Sequence, residues 1–145
     1  MKEFSVFIDT NIFLRVYTRD QEKKAKECET VLRAIQQGKI IAVTAEIVLA
    51  EFIWTSLSYY DIQKESVIAM VKAIVALPNL HVQGVSDMLT AIEFYEQHSI
   101  KFIDAIIASC ELVRVGTLPM LSYDADFDKI GIKRYEPADL LKRIG

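Results

Sequence analysis

Apolar residues fall into short, nearly unbroken runs, separated by longer stretches in which they recur every three or four positions. Residues 4–8 form such a run, closed by Thr10 and Asn11, and predict a first strand. The charged segment 20–33 carries Ala25, Cys28, Val31, Leu32 and Ile35 at helical spacing, with Gly38 placed as a helix C-cap. Residues 40–43 predict a second strand, and Thr44 is placed to cap a helix over 45–58. Asp61 heads another helix, to 76, stopped by Pro78. Residues 80–82 predict a third strand, and Ser86 opens a helix to His98. One helix comes next over 102–114, ending at Gly116, then strands at 118–121 and 132–135 and a terminal helix at 137–143. Short apolar strands alternating with helices predict an α/β fold, a parallel sheet of about five strands with helices on both faces. Residues 1–145 read as one domain, with no repeat or flexible linker. Such folds place their sites at the carboxyl ends of the strands.

Composition supports one full core: 52% of the 145 residues are hydrophobic and 26% charged. A formal charge of −3 argues against wholesale wrapping of nucleic acid. It leaves room for an enzyme that holds a metal among carboxylates and touches a few phosphates. The longest greasy stretch, 67–77, contains Lys72 and falls short of the ~18 apolar residues of a membrane span. Residues 1–3 run directly into an apolar segment ending at Asp9, unlike a signal peptide, so a cytoplasmic protein without membrane contact is expected. Cys28 and Cys110 lack a CxxC or HExxH context and read as buried apolar residues.

The informative residues are carboxylates placed where a core is expected. Asp9 directly follows Val6-Phe7-Ile8, either as a functional acid at a strand exit or as a turn or cap residue opening the next helix. Glu51 lies between Ile47-Val48-Leu49-Ala50 and Phe52-Ile53-Trp54, with no Lys or Arg within a turn to pair with it. Burying a glutamate without a partner costs several kcal/mol, roughly, so either a salt bridge or a function must account for it. Asp104 sits in Phe102-Ile103-Asp104-Ala105-Ile106-Ile107, either in a site or as a helix cap. Asp124 and Asp126 come after the fourth strand in Ser122-Tyr123-Asp124-Ala125-Asp126-Phe127. A calcium loop fails there, because Lys129 replaces its glycine and Tyr135 its last glutamate; a solvated acidic turn is the plain alternative. Carboxylates gathered in one cleft repel one another unless a cation sits among them, and oxygen ligands suit Mg²⁺ or Mn²⁺.

Taken together, these segments resemble the PIN domain, the metal-dependent ribonuclease fold of VapC-type toxins. Phe7-Ile8-Asp9-Thr10-Asn11 resembles its opening strand and first acid, Glu51 its helical glutamate, and Phe102-Ile103-Asp104-Ala105 its third acidic motif. Ser122-Tyr123-Asp124-Ala125-Asp126-Phe127 is similar to the fourth, with serine for the commoner threonine. The resemblance implies a catalytic set of Asp9, Glu51, Asp104 and Asp124 that binds Mg²⁺ or Mn²⁺, with Asp126 joining as a ligand. Asn11 and Ser122 would orient the carboxylates. Arg15 and Lys101, near the first and third acids in sequence, could meet RNA phosphates; ordinary surface charge is their alternative. An RNA substrate, a homodimer and a protein antitoxin are further implications. The aromatic residues Phe52, Trp54, Tyr59 and Tyr60, with Leu57, are expected in part to line that dimer or antitoxin surface.

Other readings remain. An RNA-processing PIN nuclease would have no antitoxin, and a non-cleaving RNA- or protein-binding module would be favoured by a missing acid. Other enzyme classes lack parts: no GxSxG, P-loop or GxGxxG occurs. His81 and His98 have no evident nucleophile partner, and Asn11 stands where a dehalogenase-type phosphatase wants a second Asp.

Overall fold

In the computed structural model, which describes residues 4–84 and 87–145, Phe4–Ile8 forms β1. Its consecutive residues Val6, Phe7 and Ile8 are all fully buried. Neighbouring strand residues point to opposite faces, so both faces of the sheet are covered here.

Helix α1 (Thr10–Thr18) begins at once and turns Ile12, Phe13 and Leu14 into the core. The elements expected from the sequence include no helix here, although Ile12, Phe13, Val16 and Tyr17 recur at the spacing of one helical face. Helix α2 (Glu22–Gln36) buries Ala25, Cys28, Val31 and Ile35, and Gly38 takes φ of 79° just past its end. Strand β2 (Ile40–Ala45) leads into α3 (Glu46–Ser58). Thr44 does not cap α3; its hydroxyl donates to the Ile8 carbonyl at 3.0 Å, and Ala45 occupies the cap position.

Helix α4 (Lys64–Val75) begins later than expected. Asp61 adopts a left-handed φ of 52° in the turn before it, and Gln63 precedes the first helical residue. Strand β3 (Leu80–Gln83) is followed by α5 (Met88–Gln97), whose N-cap is Asp87; Ser86 lies outside the described residues. The single helix expected over 102–114 is two, α6 (Phe102–Ala108) and α7 (Glu111–Arg114). At the break the Ser109 hydroxyl donates to the Ile106 carbonyl at 2.6 Å and accepts the Asp87 amide at 2.9 Å. Strand β4 (Met120–Leu121), the short α8 (Asp126–Lys129), β5 (Arg134–Tyr135) and α9 (Pro137–Ile144) complete the chain.

The five strands lie in the order β3-β2-β1-β4-β5, every pairing parallel, as the alternation predicts. From β1 the chain builds outward through β2 to β3, then crosses back to place β4 on the other side of β1. The order therefore reverses between β1 and β4, where Ile8 is in register with Leu121. The crevice beyond that reversal is where open parallel sheets hold ligands. No described helix is long and apolar enough to cross a membrane.

Candidate active site

The first residue past β1 is Asp9 and the first past β4 is Ser122, both buried. Asp9 has extended backbone and caps α1, its Oδ1 accepting the Thr10 amide at 2.8 Å. Its Oδ2 accepts the Ser122 hydroxyl at 2.6 Å and the Asn11 amide group at 3.1 Å. Ser122 Oγ in turn accepts from Asn11 Nδ2 and from the Asp124 amide, each at 3.0 Å. One donor and two acceptor positions exhaust a serine hydroxyl. The Asn11 carbonyl oxygen accepts the Tyr123 amide at 3.2 Å, and Asp124 Oδ1 accepts the Asp126 amide at 2.9 Å. Asn11 and Ser122 thus lace the two strand exits together and fix the acids that project from them.

Asp9, Asn11, Glu51, Lys101, Asp104 and Asp124 line one cleft of about 150 Å³. Glu51 arrives from α3 and Asp104 from the first turn of α6, so four acids converge from four segments distant in sequence. Asp104 does not cap α6, since Lys101 holds that position and no side chain bonds there. Glu51 has no ion-pair partner among the described residues. Asp104, Asp124 and Asp126 form the tightest group, each presenting an oxygen within 4.8 Å of the others.

The electrostatics reflect crowding and burial. Burial, opposed by the Ser122 and Thr10 hydrogen bonds and reinforced by Glu51 and Asp124, pushes the Asp9 carboxyl up to about 6. Burial and the neighbouring Asp9 push Asp104 further, to about 8, against the pull of Lys101. The Lys101 ammonium moves upward in net: partial burial works against it, but Asp104, Glu51, Asp124 and Asp9 outweigh that. Asp104 Oδ2 is buried with no hydrogen-bond partner among the described residues. A buried carboxyl oxygen left bare is costly; a proton relieves it, and a cation held among these acids would do the same. The donor set is all oxygen, which suits a hard divalent ion.

Two sequence candidates face partly elsewhere. Arg15 is not among the cleft-lining residues; its guanidinium pairs with both Asp20 oxygens at 3.1 Å. Asp126 pairs with Lys129 at 2.9 Å while keeping its place beside Asp104 and Asp124. A brace behind the cleft has no counterpart in the sequence pattern. Tyr123, next to Asp124, donates its hydroxyl to Glu27 on α2 at 3.1 Å and lies 3.6 Å from Cys28 Sγ. Ninety-six positions separate Tyr123 from Glu27, so no local pattern could have revealed it. Thr10, read as a strand-closing residue, also lines the cleft, with a buried hydroxyl oxygen that has no partner among the described residues.

The family model described as PIN domain matches residues 6–133. A search of curated proteins gave no match. Among solved structures, the chain is similar to Mycobacterium tuberculosis VapC20, a sarcin-ricin-loop-cleaving toxin. Identity is 18%, the TM-score is 0.70, and 91% of this chain and 99% of that one are covered. It is also similar to VapBC2 from Rickettsia felis bound to a promoter DNA fragment, at 15% identity and TM-score 0.65, covering 92% and 98%. A toxin–antitoxin complex from Klebsiella pneumoniae matches at 17% identity and TM-score 0.58, covering 91% and 97%. At such identities the likeness to these structures is one of fold.

Proposed function

The chain belongs to the PIN domain family, and on that footing we propose that it is a Mg²⁺- or Mn²⁺-dependent endoribonuclease, the toxin of a toxin–antitoxin pair. The observation that carries the reading is the buried, partnerless Asp104 Oδ2 inside a trio of carboxylates within 4.8 Å of one another. Asp9, Glu51, Asp104 and Asp124 would hold the ion, with Asp126 joining them. A divalent cation so held supplies Lewis acidity, acidifying water and offsetting charge on the phosphate. The chain's own contribution is alignment. Asn11 and Ser122 hold Asp9 and Asp124 in fixed directions, so the acids need no reorganisation when RNA arrives. Lys101, which lines the same cleft, would meet a phosphate oxygen and so position the bond to be cut. In-line displacement then leaves a 5′-phosphate and a 3′-hydroxyl.

The partner surface belongs to the same proposal. Phe52 is fully buried and serves the core, whereas Trp54 and Tyr59 are 70% and 79% exposed. Between α3 and α4 opens a hollow of about 270 Å³, walled by Ile53, Leu57, Val67, Ile68 and Val71 together with Lys64 and Lys72. This is the face on which a homodimer or antitoxin would be built, and a cytoplasmic location accords with that role. The testing experiment is cleavage of single-stranded RNA. It should proceed with Mg²⁺ or Mn²⁺, stop in EDTA, and fall by orders of magnitude in Asp124→Asn. Cleavage undiminished by EDTA would refute it.

A further inference from the structure

A second hollow, of about 560 Å³, adjoins the carboxylate cleft. Lys101 lines both, and Asp126 of the tight trio forms part of its wall. The remaining wall comes from the end of α5 and the turn after it: Tyr95, His98, Ser99 and Ile100. Lys129 stands at the same edge, 2.9 Å from the Asp126 carboxylate and 3.4 Å from the Ser99 carbonyl.

Tyr95 is the unusual member. It is 52% exposed, and its ring meets Phe102, itself 38% exposed, edge to face at 5.2 Å and 67°. An edge-to-face pair fixes the orientation of both rings. Here it ties the last turn of α5 to the first residue of α6, the helix that carries Asp104. The groove therefore offers a fixed aromatic ring, a half-buried imidazole, a hydroxyl and an ammonium, leading directly into a carboxylate cluster. That is the chemistry of a nucleotide: a flat base to stack, base edges to hydrogen-bond, and a phosphate to neutralise. The hollow between α3 and α4 differs, being walled mainly by aliphatic side chains.

We propose that this groove is a subsite for one base of single-stranded RNA beside the scissile phosphate, with Tyr95 as its stacking platform. The proposal rests on the ribonuclease reading of the carboxylate cleft. His98 and Ser99 face the base edge, and Lys101 holds the phosphate between the two hollows. The groove thereby selects the nucleotide next to the cut, whereas the acids act on any phosphodiester.

Fluorescence anisotropy with a short single-stranded oligoribonucleotide, Ca²⁺ replacing Mg²⁺ to keep the probe intact, tests this on the full chain. Tyr95→Ala should lose about tenfold in affinity, the scale of one base–aromatic stack. Tyr95→Phe should stay within about twofold of wild type, since the ring carries the effect. Tyr95→Leu, which keeps bulk without a π-face, should lose affinity as alanine does. On an abasic probe the variants should converge. Equal affinity of Tyr95→Ala and wild type for the intact probe overturns the subsite, and RNA cleavage by that same wild type would leave the nuclease reading standing. A wild type that neither binds nor cuts RNA removes both. Unchanged RNA affinity in Tyr95→Ala with a lowered mass by light scattering reassigns the groove to a protein contact.

Discussion

Ser122 Oγ donates to Asp9 Oδ2 over 2.6 Å, although the two residues lie 113 positions apart. The bond joins the exits of two adjacent parallel strands, beside the backbone bond by which the Asp9 amide donates to the Leu121 carbonyl at 3.1 Å. Ser122→Ala removes it from a fully buried place. A hydrogen bond to a charged group contributes about 1.5–3 kcal/mol, so the variant should melt several degrees lower. Losing the serine also removes a pull that holds Asp9 down, so its carboxyl rises further and Mg²⁺ binding should need a higher pH. Ser122→Thr should restore both. Calorimetry of metal binding at two pH values checks this; an unchanged pH dependence in the alanine variant would contradict it.

Asp124→Asn separates a metal ligand from a structural acid. The substitution keeps shape and removes one of several mutually repelling charges, so the metal-free variant should melt at or above the wild type. Mg²⁺ at about ten times the dissociation constant should stabilise the wild type by roughly 1.4 kcal/mol and the variant by less. Melts of both proteins in EDTA and in Mg²⁺ decide it. A loss of stability equal in both buffers, with cleavage intact, would make Asp124 a loop residue only.

The metal-free protein should lose stability as pH rises. Asp9 and Asp104 have folded-state pKa values near 6 and 8, both above their ordinary 3.8. Their stabilising contribution is complete below that ordinary value, where both are protonated in folded and unfolded chains alike. It is lost as pH climbs through 6 and then 8, because the folded state resists ionisation. Melting temperature in EDTA should therefore fall from about pH 5 to pH 8, and Asp104→Asn should flatten the upper part of that fall. Saturating Mg²⁺ should flatten it too, since the ion favours the ionised carboxylates. A wild-type curve that rises over this interval, with the variant parallel to it, would contradict the crowded-carboxylate account.

The exposed aromatics of α3 and its exit test the partner surface. Trp54→Ala and Tyr59→Ala remove rings that are mostly in solvent, so stability should change by no more than about 0.5 kcal/mol. Oligomeric mass, or recovery of a co-expressed antitoxin, should fall. A wild type that is monomeric at micromolar concentration and recovers no partner would leave these rings without an interface.

The acids were legible because each breaks a rule that apolar runs otherwise keep: a carboxylate in a buried segment has to be accounted for. Glu51 and Asp104 stand out on that ground, and Asp9 and Asp124 by their places after strands. The parallel sheet was legible from the alternation of strands and helices alone. Features set by tertiary partners were hidden. The break between α6 and α7 depends on Ser109 bonding to Asp87, and the brace at Tyr123 on Glu27. Arg15 beside the first acid looked free in sequence, but a salt bridge to Asp20 occupies it.

Asp9 is at once a cleft carboxylate and the cap of the nine-residue α1, whereas Asp124 serves only the four-residue α8, accepting the Asp126 amide with an oxygen that asparagine keeps. The two acids therefore decay differently under mutation. An alanine or valine at Asp9 removes a cap worth about 1 kcal/mol, so chemistry and stability are damaged together. At Asp124 the charge can be discarded with the fold intact or firmer. On the proposed toxin reading, a host population under pressure to disarm the nuclease while keeping its folded surface should recover inactive alleles at Asp124 well before Asp9. Deep mutational selection for survival, with folded protein monitored in parallel, would display that asymmetry directly.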